Sequence, residues 1–202
     1  MLLSQKLNSN LYVERKEAEI PLEQFEKGEE INVLDSTIWQ IYRGVVQLSK
    51  IQPDGSETIL GWVTANGTFG SYSDCPSQTY RAEAISDVYA RRYLPQDVAK
   101  NPLLARQLLA QASDRLIKSE RLLTVIAIKR VEERFTQLLL MLQEDMGQRV
   151  EHGIRLQIRF THQQLAEAIC TTRVTITRIM GDFQNRNLIY LDSERHIVCT
   201  NL

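Results

Sequence analysis

The chain has 202 residues, of which 43% are hydrophobic and 24% charged, a composition that suits one large or two ordinary globular domains and excludes a disordered chain. With 24 Lys plus Arg against 25 Asp plus Glu there is no global basic field, and three cysteines (Cys75, Cys170, Cys199) without Cys-x-x-Cys spacing argue against a disulfide scaffold or a cysteine-rich zinc site. No apolar run approaches the roughly 18 residues of a membrane span, and Lys6, Asn8 and Asn10 interrupt the start where a secretory signal would carry its apolar core, so the expectation is a reduced, cytoplasmic protein.

All five prolines and six of the nine glycines fall between residues 21 and 102. Short β-branched and aromatic runs lie between them: Ile38–Tyr42 before Arg43-Gly44, Val45–Leu48 before Pro53-Asp54-Gly55, and Thr58–Val63 before Asn66-Gly67. Strand-length runs between turn dipeptides predict antiparallel β structure over 1–102, closed into a roll or barrel.

After Pro102 the pattern changes. No Gly or Pro occurs from Leu103 to Ile128, and Leu104, Leu108, Ala112, Arg115, Ser119, Leu122 and Ile126 recur three or four apart, the spacing of one helix stripe. A helix over 103–129 would be about 38 Å long. It either packs along its own domain or, as we expect from its narrow stripe interrupted by polar residues, pairs with a second copy in a homodimer. A further amphipathic helix follows over roughly Val131–Asp145, through Phe135, Leu138, Leu139 and Leu142, with Gly147 as its terminator.

Residues 161–191 carry the most specific pattern. Thr161 can cap a helix buried through Leu165, Ala166 and Ile169; a break at Cys170-Thr171 follows; Thr171 or Thr172 then caps a second helix buried through Val174, Ile176, Ile179 and Met180 with Phe183 behind. Two short helices joined by a tight turn form a helix-turn-helix, whose second helix lies in the DNA major groove. Arg173, Thr175 and Arg178 fall near its start, where Arg can read guanine and Thr172 and Thr175 hydroxyls suit phosphates. The alternative is a helical hairpin with solvated arginines. Local charge favours DNA: Thr171–Arg186 holds three arginines and one acid, whereas residues 131–202 hold eight Arg against nine Asp plus Glu. Leu188–Leu191 and His196–Cys199, flanking Asp192–Arg195, read as the β-hairpin of a winged helix. The overall expectation is an α+β protein: an N-terminal antiparallel β-roll (1–102), a long dimerisation helix (103–129) and a C-terminal winged helix-turn-helix (130–202).

This order of parts resembles the CRP/FNR family of transcription regulators. The similarity runs from Phe25–Glu29 through Ile41–Gly44, Pro53–Gly55 and Phe69-Gly70 to the wing. Thr171–Arg178 is most similar to the NtcA branch, the nitrogen regulators of cyanobacteria. The family usually carries Arg, Glu and a second Arg on the reading helix. Here Val174 replaces the Glu and cannot accept from cytosine N4, which implies half-sites of the GTA/TAC type. The resemblance also implies double-stranded DNA, a second copy and RNA polymerase as partners, with Thr161, His162, Gln163, Thr172, Arg173, Val174, Thr175 and Arg178 at the DNA. Cys170 stands where the family usually has a glycine of positive φ. A small buried thiol is the expected reading, at a cost of about 1 kcal/mol in the turn.

In the family a cyclic-nucleotide-binding-like β-roll has a pocket beside the long helix that receives an effector. Phe69, Gly70, Ser71, Tyr72 and Arg81 fit its anion-binding region. Ser71, Ala82 and Ser119-Glu120 depart from the residues that recognise cyclic AMP. Arg115 and Glu120 have the spacing that the NtcA branch uses for 2-oxoglutarate. The expectation is therefore a dicarboxylate clamped by Arg81 and Arg115, with Glu120 holding Arg115 or coupling it to the other subunit. The alternative is a vestigial pocket under a constitutive regulator. No cofactor is expected: no cysteine precedes Cys75 for an iron–sulfur cluster, and His152, His162 and His196 all lie in the C-terminal part, away from any haem or metalloenzyme site in the roll. No catalytic or metal-ligating set is expected.

Overall fold

The computed structural model describes residues 21–33, 37–70 and 80–202. Seven strands come first: β1 (Leu22–Phe25), β2 (Ile38–Arg43), β3 (Val46–Ile51), β4 (Glu57–Val63), β5 (Thr68–Gly70), β6 (Arg81–Ala84) and β7 (Val88–Tyr93). They form two antiparallel sheets, ordered β1-β7-β2-β5 and β4-β3-β6. The sheets face each other across a core of Ile31, Trp39, Ile41, Val46, Leu48, Val63, Phe69 and the small residues Ala82, Ala84 and Ala90. Strand alternation decides which side chains enter it: on β6, Ala82 and Ala84 are fully buried while Arg81 and Glu83 point outward.

A short helix, α1 (Pro95–Lys100), was not anticipated and leads into α2 (Pro102–Ile126). Asn101 caps α2, its side chain accepting from the Leu104 amide at 3.1 Å, and Pro102 occupies the first turn, where its missing N–H costs nothing. α3 (Val131–Met146) follows a break at 127–130 and ends at Gly147 for a different reason from the one expected. Gly147 is extended, not left-handed. A Cβ there would lie 2.3 Å from the Gln143 carbonyl oxygen and 2.5 Å from Ile154, so glycine is required by close approach.

That approach comes from a hairpin unforeseen in the sequence, β8 (Gly147–Val150) and β9 (Gly153–Leu156). Next come α4 (His162–Ala168), α5 (Arg173–Asn185) and the hairpin β10 (Ile189–Leu191) with β11 (Ile197–Cys199), giving a sheet ordered β10-β11-β9-β8. The described residues hold no helix long and apolar enough to cross a membrane.

One hydrophobic cluster joins the halves. It runs from Val45, Ile59, Trp62 and Ile85 of the roll through Leu122 and Val125 of α2 into Phe135, Leu138, Leu142, Leu165, Ile176 and Phe183. Trp62 meets Phe160 edge-on with ring centroids 5.5 Å apart, and α4 packs on β4. The stripe expected to form the dimer seam is the one turned to the chain's own core: Leu108 and Leu122 are buried, and Leu104, Ala112, Arg115, Ser119 and Ile126 half-buried. The uncovered stripe of α2 is another, Leu109, Leu116 and Leu123, seven residues apart and 68%, 60% and 66% exposed.

Candidate nucleic-acid interface and effector site

α4 begins with a full capping box. The Thr161 hydroxyl accepts from the Gln164 amide at 3.1 Å, and the Gln164 side chain accepts from the Thr161 amide at 2.9 Å. α4 then ends in a Schellman turn: the Thr171 amide donates to the Ala166 carbonyl (2.9 Å) and the Cys170 amide to that of Glu167 (3.3 Å). This geometry puts Cys170 in the left-handed region, at φ 51°. The buried thiol expected here is corrected: Cys170 is exposed, because the residue that reverses the chain between α4 and α5 points away from the packed faces of both.

Thr172 caps α5, accepting from the Thr175 amide at 3.1 Å, and its hydroxyl lies 2.8 Å from that of Thr175. One face of α5 is buried through Ile176, Ile179, Met180 and Phe183. The opposite face presents Arg173, Val174, Thr177 and Arg178, all exposed. Val174, expected to be buried, is 78% exposed, since two positions before Ile176 it lies about 200° around the helix, nearly opposite the buried stripe. Arg178 is held only loosely, 3.6 Å from Asp182 one turn on, a surface pair of little strength that a DNA group can displace. Gln163 donates to Glu167 at 2.7 Å.

His162 Nδ1 lies 2.8 Å from the Thr177 hydroxyl, which itself donates to the Arg173 carbonyl. Burial, then the nearby Arg173 and Arg195 charges, holds the His162 pKa below its ordinary value. His162, Arg173 and Arg195 line a cleft of about 540 Å³ with Arg159, Thr161, Gln163 and Leu191, between the starts of α4 and α5 and the wing. Arg159, Arg173 and Arg195 line it and, among the described residues, no acidic one does, which concentrates positive charge there on a chain of net charge −1. Arg159 and Arg195 escaped the sequence reading; the signal was an Arg just before a helix cap and another in the wing turn.

The wing turn also gathers Asp192, Glu194 and His196, types that can ligate a divalent cation. Here the Arg155 guanidinium lies among them.

In the roll, the predicted effector residues separate. Ser71 and Tyr72 lie outside the described residues, as does Cys75. The Phe69 side chain is core, stacked on Trp39 at 6.5 Å. Gly70 has φ 121°, and a Cβ there would strike the Thr37 carbonyl oxygen at 2.0 Å. Its amide donates to the Tyr80 hydroxyl at 2.6 Å, the hydroxyl donates back to the Gly70 carbonyl at 3.2 Å, and the Arg115 guanidinium of α2 acts on the same phenol electrostatically. Burial pushes the Tyr80 phenol above its ordinary pKa against the pull of Arg115 and Gly70.

Arg81 is not in this group. It is ion-paired to Glu30 (3.2 Å), Glu83 (3.0 Å) and Glu57 (3.8 Å). The clamp of Arg81 with Arg115 is thereby corrected: neighbours on a strand take opposite faces, and the inward neighbour is Tyr80. Glu120 is exposed, and among the described residues it forms no ion pair with Arg115, since a five-residue step along α2 leaves the two on different faces.

A helix-turn-helix with a basic reading face, carried behind a β-roll and a long helix, defines a DNA-binding regulator. Residues 133–202 match the Crp-like helix-turn-helix domain. The chain is similar to the Global nitrogen regulator of Synechococcus elongatus, 29% identical over 208 residues that cover 96% of this chain and 94% of the relative. It is 26% identical to the CRP-like cAMP-activated global transcriptional regulator of Mycobacterium tuberculosis, over 80% of this chain and 75% of that one. A solved CRP-family transcriptional regulator of Thermus thermophilus shares the fold with a TM-score of 0.77 at 18% identity, over 89% of this chain and 92% of that one. Residues 133–202 thus carry a Crp-like helix-turn-helix, and over most of its length the chain is similar to proteins named as transcription regulators.

Two predictions follow from these local geometries. Cys170→Gly removes a side chain from a left-handed position, and the gain is partly offset by the freer unfolded chain. Urea unfolding should show a rise of up to about 1 kcal/mol, whereas Cys170→Val should lower stability by at least about 1 kcal/mol.

His162 titrates below its ordinary value, so the folded protein resists a proton that the unfolded chain accepts. Its contribution is complete above about pH 6.5 and is lost as pH falls through the folded pKa. A DNA phosphate in the cleft reverses this preference. DNA affinity at fixed salt should therefore gain several-fold between about pH 7.5 and 6 relative to a His162→Gln variant; identical pH profiles would place His162 away from the phosphate.

Proposed function

We propose that the protein acts as a homodimer on a palindromic DNA site with GTA/TAC half-sites, gated by a small anionic effector of the 2-oxoglutarate type and working with RNA polymerase. One observation carries the DNA reading: α5 buries one face and leaves Arg173, Val174 and Arg178 uncovered at its N-terminal half, beside a cleft of cations. Arg173 and Arg178 suit the paired acceptors of guanine. Val174 offers an apolar surface for a thymine methyl and no acceptor for cytosine. Thr161, Gln163, Thr172 and Thr175 stand at the two helix starts, where hydroxyls, amides and the helix dipoles favour phosphates.

The homodimer rests on Leu109, Leu116 and Leu123. Three exposed leucines at heptad spacing on one helix need a cover, and the same stripe of a second α2 supplies it in parallel register. Such a pair sets the two reading helices about one DNA turn apart.

The effector reading rests on the convergence of Arg115, the Gly70 amide and the Tyr80 hydroxyl. A carboxylate in place of the phenol oxygen would pair with Arg115 and accept from Gly70, and similarity to a nitrogen regulator supports a dicarboxylate. A second reading is favoured by the same contacts: the Tyr80 hydroxyl already occupies the Gly70 amide and carbonyl, as in a vestigial pocket under a constitutive regulator.

Fluorescence anisotropy with a duplex carrying GTA and TAC about eight bases apart tests these readings. Tight, sequence-selective binding is expected, strengthened by 2-oxoglutarate and unresponsive to it in Arg115→Ala; binding indifferent to the ligand selects the constitutive reading. Arg173→Ala should cost about 1–3 kcal/mol and relax specificity at one base position, while an equal loss on every sequence would make Arg173 a phosphate contact. Leu116→Glu should sediment as a folded monomer and lose operator affinity; a persisting dimer would overturn the α2 seam.

A further inference from the structure

We propose that Arg155 is a positioning residue for DNA binding, acting through the wing: its guanidinium fastens the turn that holds Arg195 at the cationic cleft. This inference rests on α5 and the wing facing DNA. Arg155 sits on β9, opposite Val198 of β11, and its side chain reaches along the sheet to the turn. Its Nε donates to Asp192 Oδ2 at 2.5 Å, and one terminal nitrogen donates to Glu194 Oε2 at 2.5 Å and lies 2.7 Å from His196 Nδ1. The grip is half-sheltered, with the side chains of Arg155, Asp192 and His196 21%, 20% and 16% exposed.

Asp192 links this grip to the backbone around Arg195. While Oδ2 takes Arg155, Oδ1 accepts from the Glu194 amide at 3.0 Å and the His196 amide at 2.7 Å, the two residues that flank Arg195. The Arg195 amide donates to the Asp192 carbonyl at 2.9 Å, and the Asp192 amide to that of His196 at 3.0 Å. Inside this frame Arg195 adopts φ 65°, a conformation that a residue with a long side chain keeps only when its surroundings impose it. Burial alone would raise the Asp192 pKa, yet the hydrogen bonds from Arg155 and the His196 amide, and their charges, hold it below the ordinary carboxylate range. The carboxylate is thus ionised whenever the wing meets DNA. The result places Arg195 on the cleft with Arg159 and Arg173, where a backbone phosphate meets three guanidiniums.

A purely local alternative is that Arg155 only masks two carboxylates that would otherwise repel DNA. A double-mutant cycle separates the two, using the full-length protein, a mixed-sequence duplex and the operator duplex. DNA affinity is measured against salt, with thermal unfolding recorded for each variant. Arg195→Ala should lower affinity about fivefold and reduce the salt slope by about one. Arg155→Met should do nearly the same, and the double variant should be no weaker than Arg195→Ala alone. Arg155→Lys, which keeps the charge but not the fork, should fall between Arg155→Met and the native chain, and it carries the test if Arg155→Met unfolds. Losses that add in the double variant, or an unchanged salt slope in Arg155→Met, would overturn the positioning role. If Arg173→Ala and Arg195→Ala both leave affinity on either duplex unchanged, the failure lies instead in the DNA-facing reading on which the proposal rests, and the proposal falls with it.

Discussion

The arrangement of the two halves depends on one apolar cluster that runs between them. Roll residues Val45, Ile59, Trp62 and Ile85, α2 residues Leu122 and Val125, and the centre of the helix-turn-helix domain pack as a single cluster. Cores at this density transmit displacement rather than absorb it. α2 touches both sides of this cluster through Leu122 and Val125, and Trp62 against Phe160 is a direct contact between the roll and the C-terminal half. An effector near Tyr80 and Arg115 would sit between the roll core, against which Tyr80 packs, and α2, the helix of Arg115 that also contributes Leu122 and Val125 to the joining cluster. Coupling to DNA then requires only that the ligand favour one seating of α2 over another, and it is limited by the difference in its affinity for the two.

Electrostatics on this chain is local, which reconciles its near-neutral charge with DNA. Most acids near the C-terminal cations are paired on surfaces beside the cleft: Glu132 with Arg186, Asp182 with Arg178, and Asp192 and Glu194 with Arg155. Arg159, Arg173 and Arg195 are left facing the same opening. Field focusing in a cleft of one sign does what total charge does not.

The parts of this design legible in the sequence are those set by neighbours along the chain. Thr161 and Thr172 announce their helices through caps, the Gly and Pro punctuation announces the roll, and α5 shows its buried stripe by period. What was not legible depends on pairing between distant segments. Arg81 and Tyr80 are equally good candidates for an inward position until β6 is registered against β3, where Ala82 opposes Leu48 and Arg81 opposes Ser49. The two apolar stripes of α2 differ only in which one the roll covers. Val174 was assigned to the core because its type is apolar, although its place on α5 is exposed. The short β8–β9 hairpin has too little alternation to stand out, and Gly147 looked like a helix terminator when it is in fact a point of close packing.

Two left-handed residues flank the DNA face, Cys170 between the helices and Arg195 in the wing. Each costs on the order of 1 kcal/mol in isolation. Each is held by a closed set of backbone hydrogen bonds: the Schellman pair at Cys170 and the Asp192 frame at Arg195. Both positions fix an angle rather than fill a space. The first sets α5 against α4, and the second sets the wing arginine against α5. The apolar cluster joins the halves, while these two turns set the geometry of the reading surface locally. In the proposed dimer, which would match two half-sites at once, a loose turn on either side would spend the binding of one half-site on ordering the other.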